Sequence, residues 1–124
     1  MLVAYLILNA VLYAAFSAWC ALAPQQTATF LGLGRLNPAG EAEYLTVYGG
    51  LQGGLAVFFL LAALMPAHQR TALLFSVCLY AGLVLFRSIA IAGIGWSQLG
   101  NARFPFVLEV VLLLAAVVLL LRAR

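Results

Sequence analysis

The chain has 124 residues, 67% of them hydrophobic and only 7% charged, with a net charge of +3. A soluble domain carries roughly 25% charged residues, and a core of this size has no room to hide so much apolar surface, so a water-soluble fold is excluded. All the positive charge comes from six scattered arginines, which leaves no basic patch for nucleic acid.

Hydropathy divides the chain into four apolar segments, about 2–22, 44–64, 71–96 and 105–121. Each comes close to or exceeds the ~20 residues that cross ~30 Å of hydrocarbon. The first segment has no basic region before it, and Pro24 follows Ala21-Leu22-Ala23 directly. That argues against a cleaved signal and for a retained helix. Its polar residues Tyr5, Asn9, Tyr13, Ser17 and Cys20 fall on one stripe. The following connection, PQQTATFLGLGRLNPAG, is long and moderately apolar, and is expected to lie along the interface or dip into the bundle.

The second segment opens on EAEYLTVYGGLQGG. At about 100° per residue, Glu41, Tyr44, Tyr48 and Gln52 share one face, with Gly49, Gly50, Gly53 and Gly54 opposite as two small-xxx-small pairs. Glu43 falls on the glycine side. The tight MPAHQR connection predicts that the second and third spans form a hairpin. On the third span Ser76, Tyr80 and Arg87 share a stripe. The fourth span carries Glu109, and its short reach is extended by Arg122 to Arg124, whose stems can snorkel.

These spans predict an all-α, polytopic membrane protein: one domain, residues 1–124, of four transmembrane helices in an antiparallel bundle. Arg70, Arg122 and Arg124 lie on the side of both termini, and Arg35 and Arg103 on the other. The positive-inside rule then places both termini in the cytoplasm. Trp19 and Trp96 would belong to the outer aromatic belt.

Arginine inside a membrane costs about 2.5–3.5 kcal/mol on insertion scales, so Arg87 needs a partner. It lies nine residues before Trp96, about 13 Å below the outer interface at the helical rise. Glu109 is the first expectation for that partner, with Glu41 or Glu43 as competitors. Three inward polar stripes would make a cavity in the outer half of the bundle. Its candidate ligand-binding residues are Arg87, Tyr44, Tyr48, Gln52, Tyr80, Asn9, Tyr13 and Glu43. Glu109 or Glu41 would be the acid or base, since a carboxylate in an apolar bundle suits proton transfer. The equally direct alternative is that these groups fix helix register.

The segment Glu43-x-x-x-x-Tyr48-Gly49-Gly50-Leu51-Gln52 resembles a bacterial family of small four-helix membrane proteins of unknown function, whose second helix opens with a similar acid-then-YGG pattern. An arginine in the third helix and a glutamate in the fourth are also reminiscent of that family. A looser likeness is to DoxX-type four-helix proteins. The resemblance implies a fold and a membrane location, and no activity.

Three functions compete. The first is binding of, or cofactor-free chemistry on, a small lipophilic molecule such as an isoprenoid, quinone or sterol-like lipid. The second is a small-subunit transporter, against which the inner half of the bundle has no ionisable residue. The third is a structural or accessory subunit. A homodimer through the Gly49/Gly50/Gly53/Gly54 face is expected, beside the lipid bilayer itself. No metal or cofactor is expected, since His68 has no second ligand near it. Cys20 and Cys78 differ in depth by roughly 15 Å and cannot bond within one chain.

Overall fold

A computed structural model describes residues 1–123; Arg124, one of the terminal arginines placed above at the membrane surface, lies outside the described residues. The described chain is helical almost throughout. Helix α1 (Leu2–Leu22) is followed by a short α2 (Pro24–Phe30), the break falling where Pro24 has no N–H to continue the ladder. Helix α3 (Pro38–Tyr44) runs through a π-helical segment, Leu45–Leu51, into α4 (Gln52–Leu64). A single 3₁₀ turn, Pro66–His68, leads to α5 (Gln69–Ile94), and a 3₁₀ stretch, Trp96–Ala102, kinked at Gly100, leads to α6 (Arg103–Arg122). Four of the resulting rods are long and apolar enough to cross a membrane: Leu2–Leu22, Pro38–Leu64, Pro66–Ile94 and Trp96–Arg122.

The second rod starts six residues before the expected 44, and the signals for it are local. Asn37 caps the helix by accepting from the Gly40 N–H at 2.8 Å, and Pro38 occupies the first turn, where its missing N–H costs nothing. The 17-residue connection is likewise shorter than the sequence suggests. Seven of its residues are α2, and Gly32 and Gly34, both at positive φ, turn the remainder back toward α3.

Helix α1 packs chiefly along α4 and the π segment, and α5 packs chiefly along α6. The tight connection between α4 and α5 is present, with Gln69 Nε2 donating to the Ala63 carbonyl at 3.1 Å. Even so, those two helices touch only sparingly. One core forms near the α1 N-terminus from Tyr5, Leu6, Phe59, Leu73, Tyr80 and Leu112. A smaller one, Cys20, Ala28 and Tyr44, forms near the other end of α1. The outside is apolar as well: Phe86 and Phe104 are each 72% exposed. Scattered exposed leucines are ordinary in soluble proteins, but a whole rind of large apolar side chains needs an apolar solvent or partner.

The π segment rearranges the faces assigned to the second span. In a π turn each N–H reaches five residues back instead of four, so Tyr44 and Gly49 come to share a face. Both are buried toward α1. The α-helical period then resumes, and the inward line continues through Gly53, Ala56, Phe59 and Ala63. The glycines therefore do not form one face opposite the tyrosines. Gly49 and Gly53 meet α1, where a Cβ would sit 3.7 Å from Ala21 Cβ and 3.2 Å from Ser17 Oγ respectively. Gly50 and Gly54 are exposed, and so is Glu43, expected on a packed glycine side. Ser17 Oγ donates to the Gly49 carbonyl at 2.7 Å, a bond between α1 and the loosened turn.

This packing predicts an asymmetric pair of results. Gly53→Leu should displace the Ser17 hydroxyl from the Gly49 carbonyl and destabilise the fold by about 1–3 kcal/mol, the usual cost of overpacking. Gly54→Leu, with nothing within 4 Å of its Cβ, should be neutral or stabilising. Unfolding titrations of the two variants by circular dichroism give the comparison, and equal losses would refute the assigned faces.

Candidate functional site

Helices α5 and α6 bring Arg87 and Glu109 together. The guanidinium Nε donates to Glu109 Oε2 at 2.7 Å and Nη2 donates to Oε1 at 3.1 Å, a two-bond fork on one carboxylate. This is the ion pair among the described residues. The side chains differ in access: Glu109 is 11% exposed and Arg87 32%. Two of the five guanidinium donors are spent on Glu109, so the exposed edge of Arg87 still presents N–H groups.

One turn along α6 from Glu109, the Leu112 carbonyl accepts from the Tyr5 hydroxyl at 3.1 Å. The Tyr5 carbonyl in turn accepts from Asn9 Nδ2 at 2.8 Å, and Asn9 Oδ1 accepts a short hydrogen bond from the Tyr80 hydroxyl. Ser76 donates to the Ala72 carbonyl at 2.8 Å, within its own helix. A chain of bonds thus joins α6, α1 and α5. Tyr13 lies against the same group, close to Tyr80 and Glu109, with its ring stacked on Phe59 at 5.7 Å and 6°.

The polar stripes of the first and third spans therefore meet, but they do not line an open cavity. Asn9 and Ser76 are fully buried, and no buried side-chain nitrogen or oxygen among the described residues lacks a partner. The physical reason is that helices at contact distance satisfy inward polar groups on one another, since an unpaired one costs about 1–3 kcal/mol. Of the expected ligand-binding set, Asn9 and Tyr80 are closed off. Arg87, paired with Glu109, keeps an accessible edge, and Tyr13 is half-buried.

The second-span residues go elsewhere. The Tyr44 hydroxyl donates to Thr27 Oγ1 at 2.8 Å, with Cys20 Sγ at 3.4 Å, in the small core under α2. Tyr48 stacks on Tyr44 at 4.5 Å and meets Phe16 edge-on at 6.3 Å. Gln52 is half-buried on α4. Glu41 sits apart from the Arg87 pair: its Oε2 accepts from Gln25 Nε2 at 2.6 Å. Glu41, Gln25 and Arg35 line a surface pocket of about 600 Å³. The three acids thus occupy three separate environments, not one.

Gln25 and Thr27 carry contacts, and Arg35 lines a pocket, that the sequence reading gave to no site. The signal for the first two was Pro24, which starts a helix as readily as it ends one. At the same end of the molecule Asn101 Nδ2 donates to the Phe30 carbonyl at 3.1 Å, and Trp19 packs on Phe30 at 5.3 Å. Trp96 packs on Phe106 and lies under the Arg103 guanidinium at 5.7 Å. Cys20 is buried and Cys78 exposed, and both are free thiols. Among the described residues no group of three or more His, Cys, Asp or Glu side chains is placed to hold a metal ion.

Fold and site together define an all-helical chain of four membrane-length apolar helices, with one forked ion pair between the last two. No family model, curated protein or solved structure matches it.

Proposed function

We propose that the chain is a multi-pass protein of a bacterial inner membrane that binds a small lipophilic molecule through the exposed edge of Arg87. Its four long helices would cross the bilayer as an antiparallel bundle with both termini cytoplasmic. The apolar rind supports insertion, and the arginine count on each side supports the orientation. The observation that carries the ligand reading is the unequal burial of the pair. Glu109 is enclosed and neutralises Arg87, yet nearly a third of the Arg87 side chain remains open in an apolar surround. A guanidinium so placed attracts an oxygen acceptor brought in by an otherwise apolar molecule, such as a quinone or isoprenoid oxygen. Binding is the function proposed, and Glu109, held at both oxygens, is assigned to orient Arg87.

The satisfied network of Tyr5, Asn9 and Tyr80 favours a second reading, in which the polar groups only fix helix register. Gentle purification from membranes followed by mass spectrometry of an organic extract separates the two. Binding predicts about one lipophilic, oxygen-bearing compound per chain, lost in Arg87→Leu/Glu109→Leu while the helices stay folded. A wild-type extract without such a compound would leave register as the function of the pair. A homodimer would have to use Gly50 and Gly54, because Gly49 and Gly53 already face α1.

A further inference from the structure

The pocket at Gln25, Arg35 and Glu41 is separate from the Arg87 pair and built differently. Gln25 is clamped at both ends of its amide: Nε2 donates to the Leu36 carbonyl at 3.1 Å, and Oε1 accepts from the Leu36 N–H at 3.1 Å. The same Nε2 also donates to Glu41 Oε2 at 2.6 Å, so α2, the returning loop and α3 are tied to one side chain. That tie fixes one oxygen of Glu41 and leaves Oε1 free for another donor. Arg35 lines the same pocket, is exposed, and forms no ion pair among the described residues. Gly34, at φ +73°, sets the turn from which Arg35 projects. Leu36, Pro38 and Leu45 supply apolar wall.

A cation and an anion that share a pocket without pairing are suited to a ligand bearing both charges. We infer that this pocket binds a phosphate ester carrying a primary ammonium, the chemistry of a phosphoethanolamine headgroup. Arg35 would take the phosphate through its fork, as guanidinium donors match phosphate oxygens. The ammonium would donate to Glu41 Oε1. The apolar wall would accept the first carbons of the glycerol and acyl region, and the volume falls within the range of small-ligand sites, about 300–1,000 Å³. A trimethylated ammonium has no N–H for Glu41, and a glycerol headgroup has no cation, so both should bind less well. The inference rests on the membrane reading above, which places this end of the helices at a headgroup layer.

The test uses the full chain in mild detergent, exposed to equimolar phosphatidylethanolamine, phosphatidylcholine and phosphatidylglycerol of identical acyl chains. Lipid retained on the intact protein is read by native mass spectrometry. The ethanolamine lipid should exceed each of the others by about tenfold, the worth of one charge-assisted hydrogen bond. Glu41→Gln should abolish the preference, and Arg35→Gln, which removes the group that holds the phosphate common to all three lipids, should lower the retention of each by about tenfold. Glu41→Gln keeps an oxygen for Gln25, so helicity by circular dichroism should be unchanged, and Arg35→Lys should keep most of the binding.

Equal retention of the three lipids would overturn the inference, as would lipid retention untouched by Arg35→Gln. Glycerol lipid bound as well as ethanolamine lipid, with Glu41→Gln silent, would also overturn it and leave a simple anion site. Displacement by free phosphoethanolamine would support the headgroup alone as ligand, and an ethanolamine preference resistant to it would support the whole lipid. Flotation with liposomes reads membrane association separately. A chain that floats yet shows no lipid preference sinks this inference alone.

Discussion

Arg87→Gln should be the most damaging single substitution in the charged pair, lowering stability by about 3–5 kcal/mol, the cost of leaving one member of a buried pair alone. It leaves the Glu109 carboxylate 11% exposed, with both of its donors gone. Glu109→Gln should cost less, nearer the ~2.5–3.5 kcal/mol of an inserted arginine, because the freed Arg87 stem can carry its charge toward a wetter level. The double substitution should recover most of the loss, since two amides can bond to one another and neither carries charge. Denaturant titrations of the four proteins in one detergent measure the coupling directly. Losses that simply add would show the two charges to be energetically independent, against the fork seen between α5 and α6. Ligand retention adds an independent axis. If the double variant is stable but empty, the pair binds; if it is stable and still loaded, the pair only aligns α5 with α6.

How legible was this in the sequence? Hydropathy located the four rods because bilayer thickness sets a long, unambiguous window. Depth counting from Trp96 and Pro105 was enough to bring Arg87 and Glu109 to one level, since the helical rise is nearly constant. Faces were harder. The 100° rule failed over Leu45–Leu51, where two glycines and the Ser17 hydroxyl on the Gly49 carbonyl accompany a π turn. One added residue per turn is enough to move Gly49 onto the side of Tyr44 and leave Gly50 and Gly54 outside. Nothing in a periodicity argument reports that a carbonyl has been taken by another helix. The connection after α1 was legible in part: its moderate hydropathy gave the packing of Ala28, Leu31 and Leu36 against the helix ends, but not the helix that starts at Pro24. Satisfaction of polar groups was out of reach as well. Asn9, Tyr5 and Tyr80 can be placed on inward stripes from spacing, but whether they face a ligand or one another depends on interhelical distance.

Asn9→Leu tests that distance. The Asn9 side chain is fully buried, accepts from the Tyr80 hydroxyl at Oδ1 and donates to the Tyr5 carbonyl through Nδ2. Leucine fills much the same volume but offers neither function, so the Tyr80 hydroxyl would be orphaned in a site 2% exposed. A buried hydroxyl without a partner costs about 1–3 kcal/mol, and Asn9→Leu should fall at the upper end because two bonds are lost. Tyr80→Phe should cost about 1 kcal/mol, since Asn9 keeps its bond to Tyr5 and loses only one donor. In Asn9→Leu/Tyr80→Phe both polar partners are gone, and the pair becomes an apolar contact between α1 and α5. That double variant should regain most of the Asn9→Leu loss, as matched apolar replacements are often nearly neutral. Thermal unfolding followed by circular dichroism in a single detergent gives the ranking. The decisive comparison is Asn9→Leu against the double: if removing the Tyr80 hydroxyl brings no recovery, Asn9 is not its partner and the closed polar core is wrong. Recovery would mean that Asn9 and Tyr80 close this end of the polar core on each other, so that a ligand of the kind proposed above would have to be held elsewhere, at the exposed edge of Arg87.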